Sequence, residues 1–431
     1  MKYVPRSTSS HVRRGCLSSF KRRPNASMET PGCMLFTRCG AVPHLSLDIL
    51  SNMDKLPPIV VMSMSTLSDW SQTVKECKGG LGEFTCMQDY LIFFTSHDVS
   101  RELEKFNCST KKALAVRSRG GNRLYSPQEF VKIQQVFKCD MVQVLGDFEC
   151  NEAMATGQSR MNKAYQRTTG FLSDVLAISK ESAEEMPPLF ASLEGGLLKE
   201  PRTRCAEESA AHSRISGFIL EGFHSYSRQS ELFWDEATHM SVLSSTISHL
   251  PTDKVRVLFG SVHPLAALKL VKAGIDLFDT SYTYQVTERG GALCFPYDDR
   301  QAFPKTDKMF ELDLTDSKYA EQFVPIMENC TCRTCAGDPG NPEDPGFTKA
   351  YIHHLLNTKE MNASILLSRH NIHHYLSFFE QVRQRLDSDD PTALDHLESL
   401  VSDSKGAEID YTSQPTDESS QPVRTKRKLS P

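Results

Sequence analysis

The chain has no uninterrupted apolar run long enough to cross a bilayer, so no transmembrane helix is predicted. It also lacks a large excess of charge of either sign, with a formal net charge of -5 and 24% charged residues. That mild acidity argues against non-specific coating of nucleic acid, although a local basic face survives such averaging. A disulfide framework is missing too. The 13 cysteines are odd in number and mostly scattered singly through apolar segments, the pattern of buried thiols in a reducing compartment. The compartment this predicts is the cytoplasm. Acids are absent from the first 28 residues, which carry Lys2, Arg6, Arg13, Arg14, Lys21, Arg22 and Arg23 before Glu29. Such a basic, Ser-rich start has the composition of a mitochondrial transit peptide. Gly15 and Pro24-Asn25 punctuate it and no apolar face repeats, which favours an exposed leader followed by a first hairpin.

What is present is an alternation. From about residue 57, short apolar runs alternate with helical patterns, and the candidate strands are 59–65, 91–96, 113–117, 141–146, 189–194, 217–221, 255–260 and 275–279. The runs rarely alternate cleanly, as expected of parallel strands covered on both sides. Several end in glycine or a charged residue: Gly146-Asp147, Glu194-Gly195-Gly196, Glu221-Gly222 and Asp279. In a parallel barrel those carboxyl ends form the ligand-binding face. Ser126-Pro127-Gln128-Glu129 is a capping box opening a helix to about Lys138, and His263-Pro264 opens another that stops at Gly274. Eight strand signals with helices between them predict an α/β fold, a (β/α)8 TIM-type barrel.

Beyond the Asn341–Gly346 loop, residues 349–385 read as one or two long helices with an apolar stripe. The predicted organisation is a basic leader and first hairpin over 1–28, the barrel over 29–325, a zinc-binding helical subdomain over 326–390 and a disordered tail over 403–431. The tail is rich in Ser, Asp, Thr and Pro and contains a basic cluster at 424–428, read as a solvated tail before a nuclear signal or RNA contact.

Cys330, Cys332 and Cys335 crowd three thiols into six residues, a turn able to present three sulfurs to one tetrahedral zinc ion. A fourth ligand is open among His353, His354, His370, His373 and His374. A site with four protein ligands and no vacancy is structural rather than catalytic.

Cys330-x-Cys332-x-x-Cys335, then Ala350-Tyr-Ile-His-His-Leu355, then His370-Asn371 resemble the zinc subdomain of the tRNA-guanine transglycosylases. The resemblance runs from Thr30-Pro31-Gly32-Cys33 to about Arg385. It implies a (β/α) barrel carrying one structural zinc ion held by Cys330, Cys332, Cys335 and His370, with His353 and His354 left out. The surplus chain between Cys335 and His370, Gly337–Gly346, can loop out at little entropic cost. The stretch Tyr284-Gln-Val-Thr-Glu-Arg-Gly290 resembles the accessory subunit of the eukaryotic enzyme more than its catalytic subunit. That implies a heterodimer with the catalytic queuine tRNA-ribosyltransferase subunit and tRNA as a shared partner. The holoenzyme exchanges guanine for queuine at the wobble position of tRNAs with GUN anticodons (Asp, Asn, His and Tyr). With no spanning segment and no lipidation motif, any docking on the mitochondrial outer membrane is peripheral.

Base exchange needs a nucleophile at the sugar, and Asp279 aligns with the family's nucleophilic aspartate. By spacing alone it reads equally as a strand-end carboxylate held by a helix start. The surroundings depart from the catalytic pattern. No Asp-Ser-Gly-Gly accompanies Lys78–Gly82, the base-reading stretch is Leu145-Gly146-Asp147-Phe148, and Glu194 stands where a glutamine belongs. Leu220-Glu221-Gly222 replaces a double-glycine turn, and Gln285 and Glu288 align with two anticodon-reading arginines. Each mismatched buried edge costs roughly 1–3 kcal/mol, and glutamate beside RNA repels it. A non-catalytic accessory subunit is therefore expected. The alternatives are a self-sufficient transglycosylase using Asp279 and a zinc scaffold unrelated to tRNA modification.

Overall fold

The computed structural model of the 431-residue chain describes residues 1–9, 12–100, 109–118, 120–148, 157–182, 185–223, 236–299, 303–305, 310–341 and 343–403. The tail expected to be disordered, with its basic cluster, lies outside the described residues except for Asp403.

Three antiparallel strands come first, β1 (Lys2–Ser9), β2 (Val12–Ser18) and β3 (Met28–Thr30). The basic start is thus itself the hairpin, and Arg13 and Arg14 are buried rather than exposed in a leader. Eight parallel strands then close a barrel: β4 (Gly32–Phe36), β5 (Ile59–Ser63), β6 (Leu91–Thr95), β9 (Met141–Gln143), β10 (Leu189–Leu193), β11 (Ile215–Leu220), β12 (Val255–Val257) and β13 (Leu277–Asp279). Closure is by Leu277, Phe278 and Asp279 pairing with Gly32, Cys33 and Met34.

One predicted strand does not belong to the barrel. Residues 113–117 fall in β7 (Leu114–Ser118), which pairs antiparallel with β8 (Gly121–Tyr125) as a separate hairpin. Arg117, Arg123 and Leu124 stay exposed there, which a strand covered on both faces cannot allow. Its place in the barrel is taken by β4, five consecutive buried residues that the strand reading missed.

Alternate residues of each barrel strand enter two different cores. Met34, Phe36, Ile59, Val61 and Phe93 fill the interior with Phe190 and Phe259, and Phe93 meets those two rings edge-on at 4.7 and 5.3 Å. Leu35, Val60, Met62, Ile92 and Phe94 face the helices. Both residue parities are apolar, hence the missing alternation. Leu17 and Met28 of the amino-terminal sheet, with Phe20 from the connection between them, plug the bottom of the interior. There the buried Asp276 accepts from Tyr3 Oη at 2.8 Å and the Arg256 amide at 2.8 Å, with Arg13 Nε at 3.3 Å.

Helix ends follow the sequence signals. Ser126 Oγ accepts from the Glu129 amide while Glu129 Oε2 accepts from the Ser126 amide at 2.8 Å, opening the helix Pro127–Phe137. His263 caps Pro264–Lys272 by accepting from the Ala266 amide at 3.2 Å. Beyond the barrel, β14 (Gly291–Leu293) and β15 (Glu311–Asp313) form a ribbon against the helices Lys349–Asn357 and Met361–Leu386. These share a third core that includes Leu312, Ile326, Ile352 and Leu367. The helix Ala393–Asp403, not foreseen from the sequence, returns Leu394, Leu397 and Val401 to the barrel core. Among the described residues, no helix is long and apolar enough to cross a membrane.

Candidate metal centre and barrel mouth

Two places concentrate chemistry: a thiol–imidazole cluster in the carboxyl-terminal subdomain and the carboxyl ends of the barrel strands.

The helix Met361–Leu386 delivers His370 to the turn carrying Cys330, Cys332 and Cys335, and all four side chains are buried or nearly so. His370 Nδ1 lies 3.8 Å from Cys330 Sγ, 3.6 Å from Cys332 Sγ and 3.4 Å from Cys335 Sγ. A tetrahedral ion with sulfur at about 2.3 Å and nitrogen at about 2.0 Å would set those separations at about 3.6 Å. The donor set and its spacing therefore fit a tetrahedral metal and are compatible with zinc. His370 Nε2–H donates to the Leu293 carbonyl at 2.8 Å, which fixes the tautomer that turns Nδ1 toward the sulfurs. Asn371 braces that partner strand, accepting from the Leu293 amide and donating to Thr287 Oγ1 and the Gly291 carbonyl. Hydrogen bonds with Cys330 and with each other hold the Cys332 thiol below its ordinary value and push the Cys335 thiol above its own, so a metal taking all three sulfurs would release protons.

Of the other four candidate histidines, His354 is exposed and the remaining three are used elsewhere. His353 Nδ1 bonds the Leu314 carbonyl, His374 Nε2 the Phe295 carbonyl, and His373 Nε2 lies 3.3 Å from Thr331 Oγ1. Among the described residues, the four-member cluster is the one grouping of His, Cys, Asp and Glu able to hold a metal.

At the barrel mouth, Asp279 ends β13 with no exposed surface. Its Oδ2 accepts from the Gly260 amide and its Oδ1 from the Ser281 amide, both at 2.7 Å. The carboxylate ties β12 to β13 and starts the helix Ser281–Glu288. Burial pushes its pKa up to about 6, against the pull of those amides.

The neighbouring acids are met by the chain's own cations. Asp147 Oδ2 receives Arg167 Nη1 at 2.7 Å from the helix Gln158–Glu181. Arg202, fully buried on the helix Lys199–Ala210, donates to the carbonyls of Gly196 (2.7 Å), Leu193 (3.2 Å) and Glu221 (2.6 Å) and lies 4.3 Å over Phe223. Burial lowers the Arg202 pKa while the nearby Glu194 and Glu221 carboxylates hold it charged. Gln143 Nε2 joins Ser192 Oγ at 3.1 Å to Glu221 Oε1 at 2.7 Å. Gln285 is spent on the Ser100 carbonyl at 2.9 Å, and Glu288 on His44 at 2.7 Å. Sequence reasoning missed Arg167 and Arg202. The available signal was an arginine at helical spacing from the apolar Cys205 and Ala206, on the face that must pack.

A sequence profile described as queuine tRNA-ribosyltransferase matches residues 9–396. The chain is 32% identical over 429 residues to queuine tRNA-ribosyltransferase accessory subunit 2 of Xenopus laevis, covering 92% of this chain and 99% of that one. It is 31% identical to the Homo sapiens protein of the same description over 414 residues, 89% of this chain and 96% of that one. The Aedes aegypti counterpart is 30% identical over 383 residues, 88% of this chain and 87% of that one.

Proposed function

The chain belongs to the queuine tRNA-ribosyltransferase family, and from that membership we propose that it is the accessory subunit of the enzyme. In this role it pairs with the catalytic subunit in the exchange of guanine for queuine at the wobble base of GUN-anticodon tRNAs. It performs no exchange alone. One observation carries the reading: at the barrel mouth Asp147 is paired with Arg167, Glu221 accepts from Gln143, and both oxygens of Asp279 hold backbone amides. A purine's donors and acceptors need partners that face them, and polar groups already paired across the strand ends cannot turn to a base without leaving a buried ion alone.

In this reading Cys330, Cys332, Cys335 and His370 hold one structural zinc ion, which clamps the helical subdomain to the ribbon β14–β15. The helices between Tyr351 and Phe379 contribute the surface that meets the catalytic subunit. The exposed Tyr351 and Met361 fit that use. The compartment is the cytoplasm, with any contact to the mitochondrial outer membrane peripheral.

The test is an exchange assay with radiolabelled guanine and a GUN-anticodon tRNA, using this chain alone, the catalytic subunit alone and the co-purified pair. Turnover is expected only where the catalytic subunit is present, and it is expected to be highest in the pair. Asp279→Asn in this chain should leave the pair's rate within about twofold. Turnover by the isolated chain that Asp279→Asn abolishes would instead establish it as a transglycosylase.

A further inference from the structure

Between Glu104 and Glu129 the sequence holds no acid, although Asp and Glu make up 54 of 431 residues. The described part of that window is the β7–β8 hairpin with the turn leading into it, and it carries Lys111, Lys112, Arg117 and Arg123, all exposed. In a chain of net charge -5 this is a local reversal of sign.

The hairpin is held rigidly. Leu114, Val116 and Tyr125 are buried on its inner side, where Tyr125 Oη donates to Ser68 Oγ at 2.8 Å. Asp69 receives Arg123 Nη1 at 3.1 Å and the Gly120 amide at 3.4 Å. Thr110 Oγ1 accepts from the amides of Lys112 and Ala113, fixing the turn that displays the two lysines. The outer side presents Arg117, Asn122 and Leu124, and Leu124 is 50% exposed. Next to Asp69, Trp70 is 48% exposed. The hairpin lies in the connection from β6 to the helix Pro127–Phe137, and its support at Ser68–Trp70 follows β5, so both stand on the carboxyl face where Asp279 ends β13.

We propose that the β7–β8 hairpin, with Lys111 and Lys112 on the turn leading into it and Trp70 beside it, is an RNA contact surface that neutralises backbone phosphates and stacks an unpaired base. The two adjacent exposed lysines supply the counterion-release drive, and an exposed indole on a supported base supplies sequence-tolerant stacking. Because the mouth pairs its own carboxylates, the surface positions RNA without reading its sequence. This rests on the subunit role proposed above and deepens it by locating where this chain holds tRNA.

The experiment measures binding of the two-subunit complex to a GUN-anticodon tRNA by fluorescence anisotropy from 50 to 300 mM salt. Lys111→Glu/Lys112→Glu should weaken binding by on the order of tenfold at low salt and flatten the dependence of log K on log salt by about two. Trp70→Ala should weaken it by about fivefold or more with the slope unchanged. Zinc content and subunit pairing should be unaffected, since neither lysine touches the core. An affinity and slope within twofold of wild type for the lysine variant overturns the hairpin assignment. So does poly-glutamate competing as well as RNA, which would mark an acidic protein segment as the partner. If exchange still requires this chain in either case, the subunit role stands. If the two chains do not associate, that role falls, and the same measurement on the full chain alone decides the hairpin.

Discussion

Cys332→Ser removes one of four ligand atoms from a cluster whose sulfur–nitrogen separations, 3.4 to 3.8 Å, already match a tetrahedral ion. Apart from the metal, the change is small. A serine hydroxyl can still accept from the Cys335 amide, as Cys332 Sγ does at 3.4 Å, so the short helix Arg333–Ala336 keeps its cap. The energetic effect therefore reports the ion. A metal that binds only the folded state stabilises it by about 2.7 kcal/mol when free metal is 100-fold above Kd, and by about 4.1 kcal/mol at 1,000-fold. Raising Kd by about three orders of magnitude erases that contribution, so the variant should lose about 3–4 kcal/mol. Metal content by mass spectrometry after dialysis, together with urea unfolding with and without chelator, measures both sides. Wild type should hold one zinc ion and lose stability on chelation, while Cys332→Ser and His370→Ala hold none and ignore chelator. His373→Ala, three positions from His370 on the same helix, should keep the metal, because its ring meets Thr331 instead. Equal zinc in wild type and Cys332→Ser, or loss in His373→Ala as complete as in His370→Ala, would refute the reasoning.

Two further outcomes follow from the barrel mouth. Asp279 titrates near 6 in the folded chain against 3.8 ordinarily, so the folded state keeps a proton that the unfolded chain releases across that window. Stability falls as pH rises from about 4 to 6, by about 3 kcal/mol in total and about 1 kcal/mol between pH 5 and 7. Urea midpoints of Asp279→Asn should lack that part of the decline, and parallel curves for the two proteins would contradict it. Arg202→Met removes a buried cation held by three carbonyls beside Glu194 and Glu221, and should cost about 3–5 kcal/mol in unfolding free energy. A loss below about 1 kcal/mol would mean that the two glutamates do not depend on it.

What could be read from the sequence shares one property, short range. The three cysteines lie within six residues, the capping box within four, and the strand runs within five or six, so local spacing and cap chemistry carried them. The choice of His370 over its neighbours came from family resemblance. Its physical reason is tertiary: the Leu293 carbonyl turns Nδ1 toward the sulfurs, while His353, His373 and His374 are drawn to other oxygens.

Strand identity was legible only where burial was uniform. Residues 113–117 and Gly32–Phe36 are both short, and composition could not tell which one enters the barrel, because closure is decided by pairing with strands hundreds of residues away. The sequence alone determined the alternating layers and the cysteine turn. Only the tertiary structure decided that Arg167 pairs Asp147, that two backbone amides hold Asp279, that Arg202 is buried on three carbonyls near Glu194 and Glu221, and that Arg13 and Tyr3 meet Asp276 beneath the barrel. A charge bears its desolvation cost wherever the fold buries it, and the partner that offsets this cost is chosen by proximity in space rather than along the chain.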